Sequence, residues 1–113
     1  MPKILIVDDD QMTRGFLRRA LKDTYTTVET GNPEEALALA LEEKPDAILL
    51  DLMMPNFSGI ELCQTLHSLS YTSTIPIFVV SGEAGAKYGQ DCEKLGAKRY
   101  FQKRWSFSLP KLF

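Results

Sequence analysis

Two short apolar runs, Ile4-Leu5-Ile6-Val7 and Ala47-Ile48-Leu49-Leu50, each end in aspartate. Uninterrupted runs of that length, flanked by helical periodicity, read as strands covered on both faces of a parallel sheet. With their neighbours they become strands at 3–7 and 47–51. A more polar run lies at 26–30, and two more lie at 75–81 and 99–102. Helix-like segments separate them. Such alternation predicts βαβ crossovers and a parallel sheet.

Helix starts are clearest in two places. Asn32-Pro33-Glu34-Glu35 offers an N-cap, a proline at the first helical position and a glutamate three residues on. Ala36, Leu37, Ala40 and Leu41 then share one face. Ser58-Gly59-Ile60-Glu61 is a second capping box, followed by Leu62, Cys63, Leu66 and Leu69 at helical spacing. The first helix, over 11–23, is expected to turn Met12, Phe16, Leu17, Ala20 and Leu21 inward. Its basic residues Arg14, Arg18, Arg19 and Lys22 then read as a solvated face. A fourth helix between Ser81 and Gly96 must accommodate Gly82, Gly85 and Gly89. Each costs about 0.5–1 kcal/mol relative to alanine inside a helix, so this element is the least secured by its own sequence.

Composition narrows the class. With 113 residues, 44% hydrophobic and 25% charged, the chain fits one ordinary domain with one core, spanning 1–113. A net charge of −2 leaves no electrostatic footprint for nucleic acid. No apolar run is long enough to cross a membrane, and Met1-Pro2-Lys3 runs into a strand rather than a signal peptide, so a cytoplasmic protein is expected. Cys63 and Cys92 lack metal or redox spacing and read as reduced helix residues.

The chemistry lies at the strand ends. In open parallel sheets, ligands bind beyond the carboxyl ends of the strands, where the strand order reverses. If the first and third strands are neighbours, Asp8, Asp9 and Asp51 converge there. Crowded carboxylates repel one another, and a hard divalent cation with oxygen ligands, Mg2+ above all, relieves the conflict. Ser81 ends the fourth strand, and Lys103 follows the fifth. Acids with a metal, an ammonium and a hydroxyl form a site for an anion with several oxygens, phosphoryl being the natural candidate. One carboxylate could then be a nucleophile that forms an acyl phosphate.

These residues resemble the receiver domains of two-component response regulators along essentially the whole chain. Lys3 to Asp9 looks like the first strand and acidic pair. Asp51-Leu52-Met53-Met54-Pro55-Asn56-Phe57-Ser58-Gly59 is similar to the phosphoacceptor strand end and its DxxMPxxxG loop. Val79-Val80-Ser81-Gly82 resembles the hydroxyl-bearing strand end, and Gly96-Ala97 with Tyr100 and Lys103 resembles the last strand. The resemblance implies a flavodoxin-like (βα)5 three-layer sandwich with a five-stranded parallel sheet in the order 2-1-3-4-5. It implies Asp51 as phosphoacceptor and Asp8, Asp9, Asp51 and the Met53 backbone carbonyl as Mg2+ ligands. Lys103 and Ser81 would contact the phosphoryl oxygens, and Tyr100 would be the switch aromatic. The implied donor is a sensor histidine kinase or histidine phosphotransfer protein. The implied effector or output domain would meet the face of the fourth helix, fifth strand and last helix. The protein would be a monomer or a phosphorylation-dependent dimer. It would be no classical enzyme, although it would assist its own phosphorylation and dephosphorylation.

Two departures stand out. Arg104 occupies the place of the family's usual proline, which favours a trans Lys103–Arg104 bond, since a cis bond before a non-proline costs about 2.5–4 kcal/mol. The last eight residues, starting at Ser106, allow only a short or truncated final helix. The rival readings are a pseudo-receiver that binds proteins without phosphorylation and a phosphatase of the haloacid dehalogenase type. Asp8-Asp9-Asp10 nearly matches the latter's DxD, but Met12 replaces its usual threonine or valine. Asp10 by itself reads as a helix cap or a solvent-facing residue, and His67 as a surface histidine.

Overall fold

The structure, a computed structural model, describes residues 1–54, 57–81, 94 and 96–102. Strands β1 (Lys3–Val7), β2 (Thr26–Thr30), β3 (Ala47–Leu50), β6 (Ile77–Ser81) and β7 (Arg99–Gln102) form one sheet in the order β2-β1-β3-β6-β7. Every pairing in it is parallel. This is the expected order, with β6 and β7 as the fourth and fifth strands. A small antiparallel pair, β4 (Met53–Met54) with β5 (Phe57–Ser58), was not foreseen and shapes the loop after β3.

Three helices are described: α1 (Gln11–Leu21), α2 (Pro33–Glu43) and α3 (Gly59–Ser68). Successive strand side chains point to opposite faces, so each central strand feeds two cores. Ile4, Ile6, Leu49 and Phe78 pack with Leu17 and Leu21 of α1 on one face. Leu5, Val7, Ile48, Leu50 and Val79 pack with Ala36 and Ala40 of α2 and with Leu62, Cys63 and Leu66 of α3 on the other. Three layers result. Full burial of Ile4, Leu5, Ile6 and Val7 in β1 and of all four β3 side chains accounts for these unbroken apolar runs.

The caps fall where the residues required them. Asn32 Oδ1 accepts from the amides of Glu34 and Glu35, and Pro33 begins α2. Lys44 closes that helix in the left-handed region at φ 47°. Asp10 caps α1 by accepting from the Met12 amide (3.2 Å) and the Thr13 hydroxyl (2.6 Å).

Some details are corrected. Met12 is 71% exposed and Ala20 is also exposed, while Thr13 is buried. The buried ridge of α1 is Thr13, Leu17 and Leu21, four residues apart, with Phe16 half-buried beside it. The hydroxyl bond that draws Thr13 toward Asp10 is consistent with this rotation of the helix. Leu41 and Leu69 lie at the ends of their apolar faces and are exposed. Gly82, Gly85, Gly89, Cys92, Lys103, Arg104 and the C-terminal segment lie outside the described residues.

Candidate functional site

The order β2-β1-β3 means that the chain leaves β1 to one side and returns on the other. The crevice beyond β1 and β3 is therefore the switch point where such sheets bind ligands. Backbone bonds extend the strands into it. The Asp8 amide donates to the Thr30 carbonyl (3.1 Å), and the Asp51 amide donates to the Val7 carbonyl (2.9 Å). Both aspartates thus sit on the last rung of the ladder. Asp8 Oδ1 also accepts from the Asp10 amide at 2.9 Å.

One carboxylate oxygen each from Asp8, Asp9 and Asp51 lies within 4.8 Å of the others. Asp8 and Asp51 are only 2% and 4% exposed, whereas Asp9 opens to solvent. Two buried anions and one at the rim form a hard-oxygen donor set with an entry path. That set fits a small divalent cation, which takes carboxylate oxygens and keeps part of its water shell.

The loop after Asp51 is held by β4 and β5, and the Gly59 amide returns to donate to the Leu52 carbonyl at 3.0 Å. A methyl group on Gly59 would collide with the Asp51 carbonyl oxygen and come within 2.5 Å of Leu52 Cα. Only glycine lets α3 begin this close to the acidic loop. The Met53 backbone belongs to β4. Ser81 stands at the end of β6, opposite Gln102 in register, and Tyr100 lies opposite Val79. Ser81 is thus at the same edge of the sheet as the acidic cluster; Lys103 lies outside the described residues.

Sequence reasoning missed one neighbour of the cluster. Arg14 Nη1 donates to the Asp8 backbone carbonyl at 2.6 Å, and its Nε donates to Glu29 Oε1 at 3.2 Å. The other Glu29 oxygen accepts from Arg18 Nη1 at 2.7 Å. The Arg14 side chain is 17% exposed and turns inward, whereas Arg18, Arg19 and Lys22 lie on the exposed face that was expected of the whole basic stripe. A single acidic residue in the polar strand β2, facing two arginines four apart on α1, was the available signal.

Residues 4–110 match the family described as the response regulator receiver domain. Response regulator MprA of Mycobacterium ulcerans is 41% identical over 80 residues, which are 70% of this chain and 34% of that protein. Transcriptional regulatory protein ResD of Bacillus subtilis is 41% identical over 88 residues, 77% of this chain and 37% of its own length. The chain therefore spans about a third of the length of these curated relatives. Among solved structures, Vibrio cholerae chemotaxis protein CheY4 superimposes with a TM-score of 0.84 at 28% identity, covering 96% of this chain and 89% of its own. Fold, strand-end chemistry and sequence agree: the chain belongs to the receiver domain family of two-component response regulators.

Proposed function

We propose that the chain is a phosphoacceptor switch in which Asp51 receives the phosphoryl group from a histidine kinase or histidine phosphotransfer protein. The observation that carries this reading is the convergence of Asp8, Asp9 and Asp51 at the sheet's switch point. An Asp51 carboxylate oxygen attacks phosphorus, an O–P bond forms and the donor's P–N bond breaks. The electron pair and a proton end on the departing imidazole. The Asp51 amide bond to the Val7 carbonyl fixes the backbone from which the attacking carboxylate projects, and its 4% exposure limits water around it.

Asp8, Asp9, Asp51 and the Met53 carbonyl would hold Mg2+. When bound, that ion neutralises the carboxylates and offsets charge on the transferring oxygens. Lys103 and Ser81 supply an ammonium and a hydroxyl donor to those oxygens, and Tyr100 senses the rearrangement at Ser81. The output surface is then built around β7 and the segments on either side of it, where an effector or output domain docks. The chain assists its own phosphorylation and dephosphorylation without turning over a separate substrate. Among the described residues no helix is long and apolar enough to cross a membrane.

Mass spectrometry after incubation with acetyl phosphate and Mg2+ tests the proposal. The parent should gain one phosphoryl group on Asp51, and Asp51→Asn should gain none while keeping its fold by circular dichroism. Phosphorylation that persists in the variant, or none in the parent, overturns it; the second result would favour a pseudo-receiver.

A further inference from the structure

We propose that Arg14 is a positioning residue for the acidic cluster: its guanidinium fixes the peptide plane that joins Asp8 to Asp9. The inference rests on the reading of Asp8, Asp9 and Asp51 as a Mg2+ site. A peptide unit is planar, so the direction of the Asp8 carbonyl also sets that of the Asp9 N–Cα bond. Arg14 Nη1 holds that carbonyl at 2.6 Å. The Asp8 amide is held on the other side by the Thr30 carbonyl at 3.1 Å. The Asp8 amide thus finds its acceptor on β2 and the Asp8 carbonyl its donor on α1, and Asp9 inherits the result.

The guanidinium is itself held. Its Nε donates to Glu29, which sits opposite Ile6 in the sheet register and is anchored again by Arg18. Two N–H groups diverging from one rigid plane are needed to reach a β2 carboxylate and the Asp8 carbonyl together. A lysine has the charge but only one nitrogen. Gly31 makes room for this arrangement, because a methyl group there would lie 2.7 Å from Arg14 Nη1.

Charge and geometry predict opposite signs for the loss of Arg14. A cation beside the site repels Mg2+, so on charge alone Arg14→Gln should tighten binding. If the guanidinium orients the ligands, Arg14→Gln should weaken it. Removing a group that orients metal ligands typically costs about 10–100-fold in metal affinity.

Calorimetric Mg2+ titrations of the full chain decide between them, run well below the melting temperature of each metal-free protein. Arg14→Gln and Arg14→Lys should both bind about tenfold more weakly than the parent. Gly31→Ala, which keeps the arginine and displaces its tip, should weaken binding in the same direction. Should Arg14→Gln fail to fold, Arg14→Lys and Gly31→Ala carry the test, since both keep the charge. Parent-like or tighter binding by Arg14→Gln, or full affinity in Arg14→Lys, overturns the positioning role and leaves the metal site standing. A parent that binds no Mg2+ overturns the site and this inference together.

Discussion

Gly59 carries two opposed energies. Alanine is the better helix former by about 1 kcal/mol, which favours Gly59→Ala on propensity alone. Against it stands a collision with backbone at Asp51 and Leu52, atoms that cannot swing aside as a side-chain tip could. Overpacking of that kind typically costs about 1–3 kcal/mol. The clash wins, so Gly59→Ala should lower stability in urea denaturation by about 1 kcal/mol and slow phosphorylation of Asp51 by acetyl phosphate. At this scale the sequence was readable wherever a residue's meaning came from its neighbours along the chain. Asp8, Asp9 and Asp51 follow apolar runs, and Asp10 precedes a helix. Arg14 was unreadable because its partners, Glu29 and the Asp8 carbonyl, are adjacent only once β2 lies against β1.

Helix α2 shows how far local signals reach. Asn32, Pro33 and the two glutamates specify its start, and one carboxamide oxygen satisfies two otherwise orphaned amides. Asn32→Ala should therefore lower stability by about 1 kcal/mol in chemical denaturation, with the acidic cluster intact and Mg2+ affinity unchanged. Helix α1 shows the limit. Apolar periodicity gives its length, but the phase of its buried ridge goes with an Asp10–Thr13 side-chain bond that hydropathy does not register. Of the strands, β2 was the weakest in sequence because it is polar and only partly covered. The β4–β5 pair was too short for any period-two pattern to reveal.

For the molecule as a whole, the acidic cluster sets part of the folding energy against the function. Three carboxylates within 4.8 Å repel one another in the metal-free protein. Asp51→Asn removes one charge while keeping the shape. Without Mg2+ it should melt higher than the parent, by about 4 °C if the relief is about 1 kcal/mol. In the parent, Mg2+ at a hundredfold excess over its Kd should add about 2.7 kcal/mol by mass action. The same addition should move Asp51→Asn much less. Differential scanning calorimetry with and without Mg2+ checks both signs in one experiment. The global fold was legible because its topology follows from alternation of strands and helices. The exact seating of side chains required pairings between residues distant in sequence.

The sheet's open margin at β2 has a different consequence. Among the described residues this strand pairs with β1 alone, which makes it an edge of the sheet, the kind of margin to which another extended chain can add. Its sequence, Thr-Thr-Val-Glu-Thr, is the most polar of the sheet's strands, and its Glu29 is held by two arginines of α1 on one face of the sheet. A chain added at that margin would therefore meet a polar strand rather than an apolar one. A polar, charge-bearing edge strand of this kind is one of the ways in which sheets avoid adding further copies of themselves.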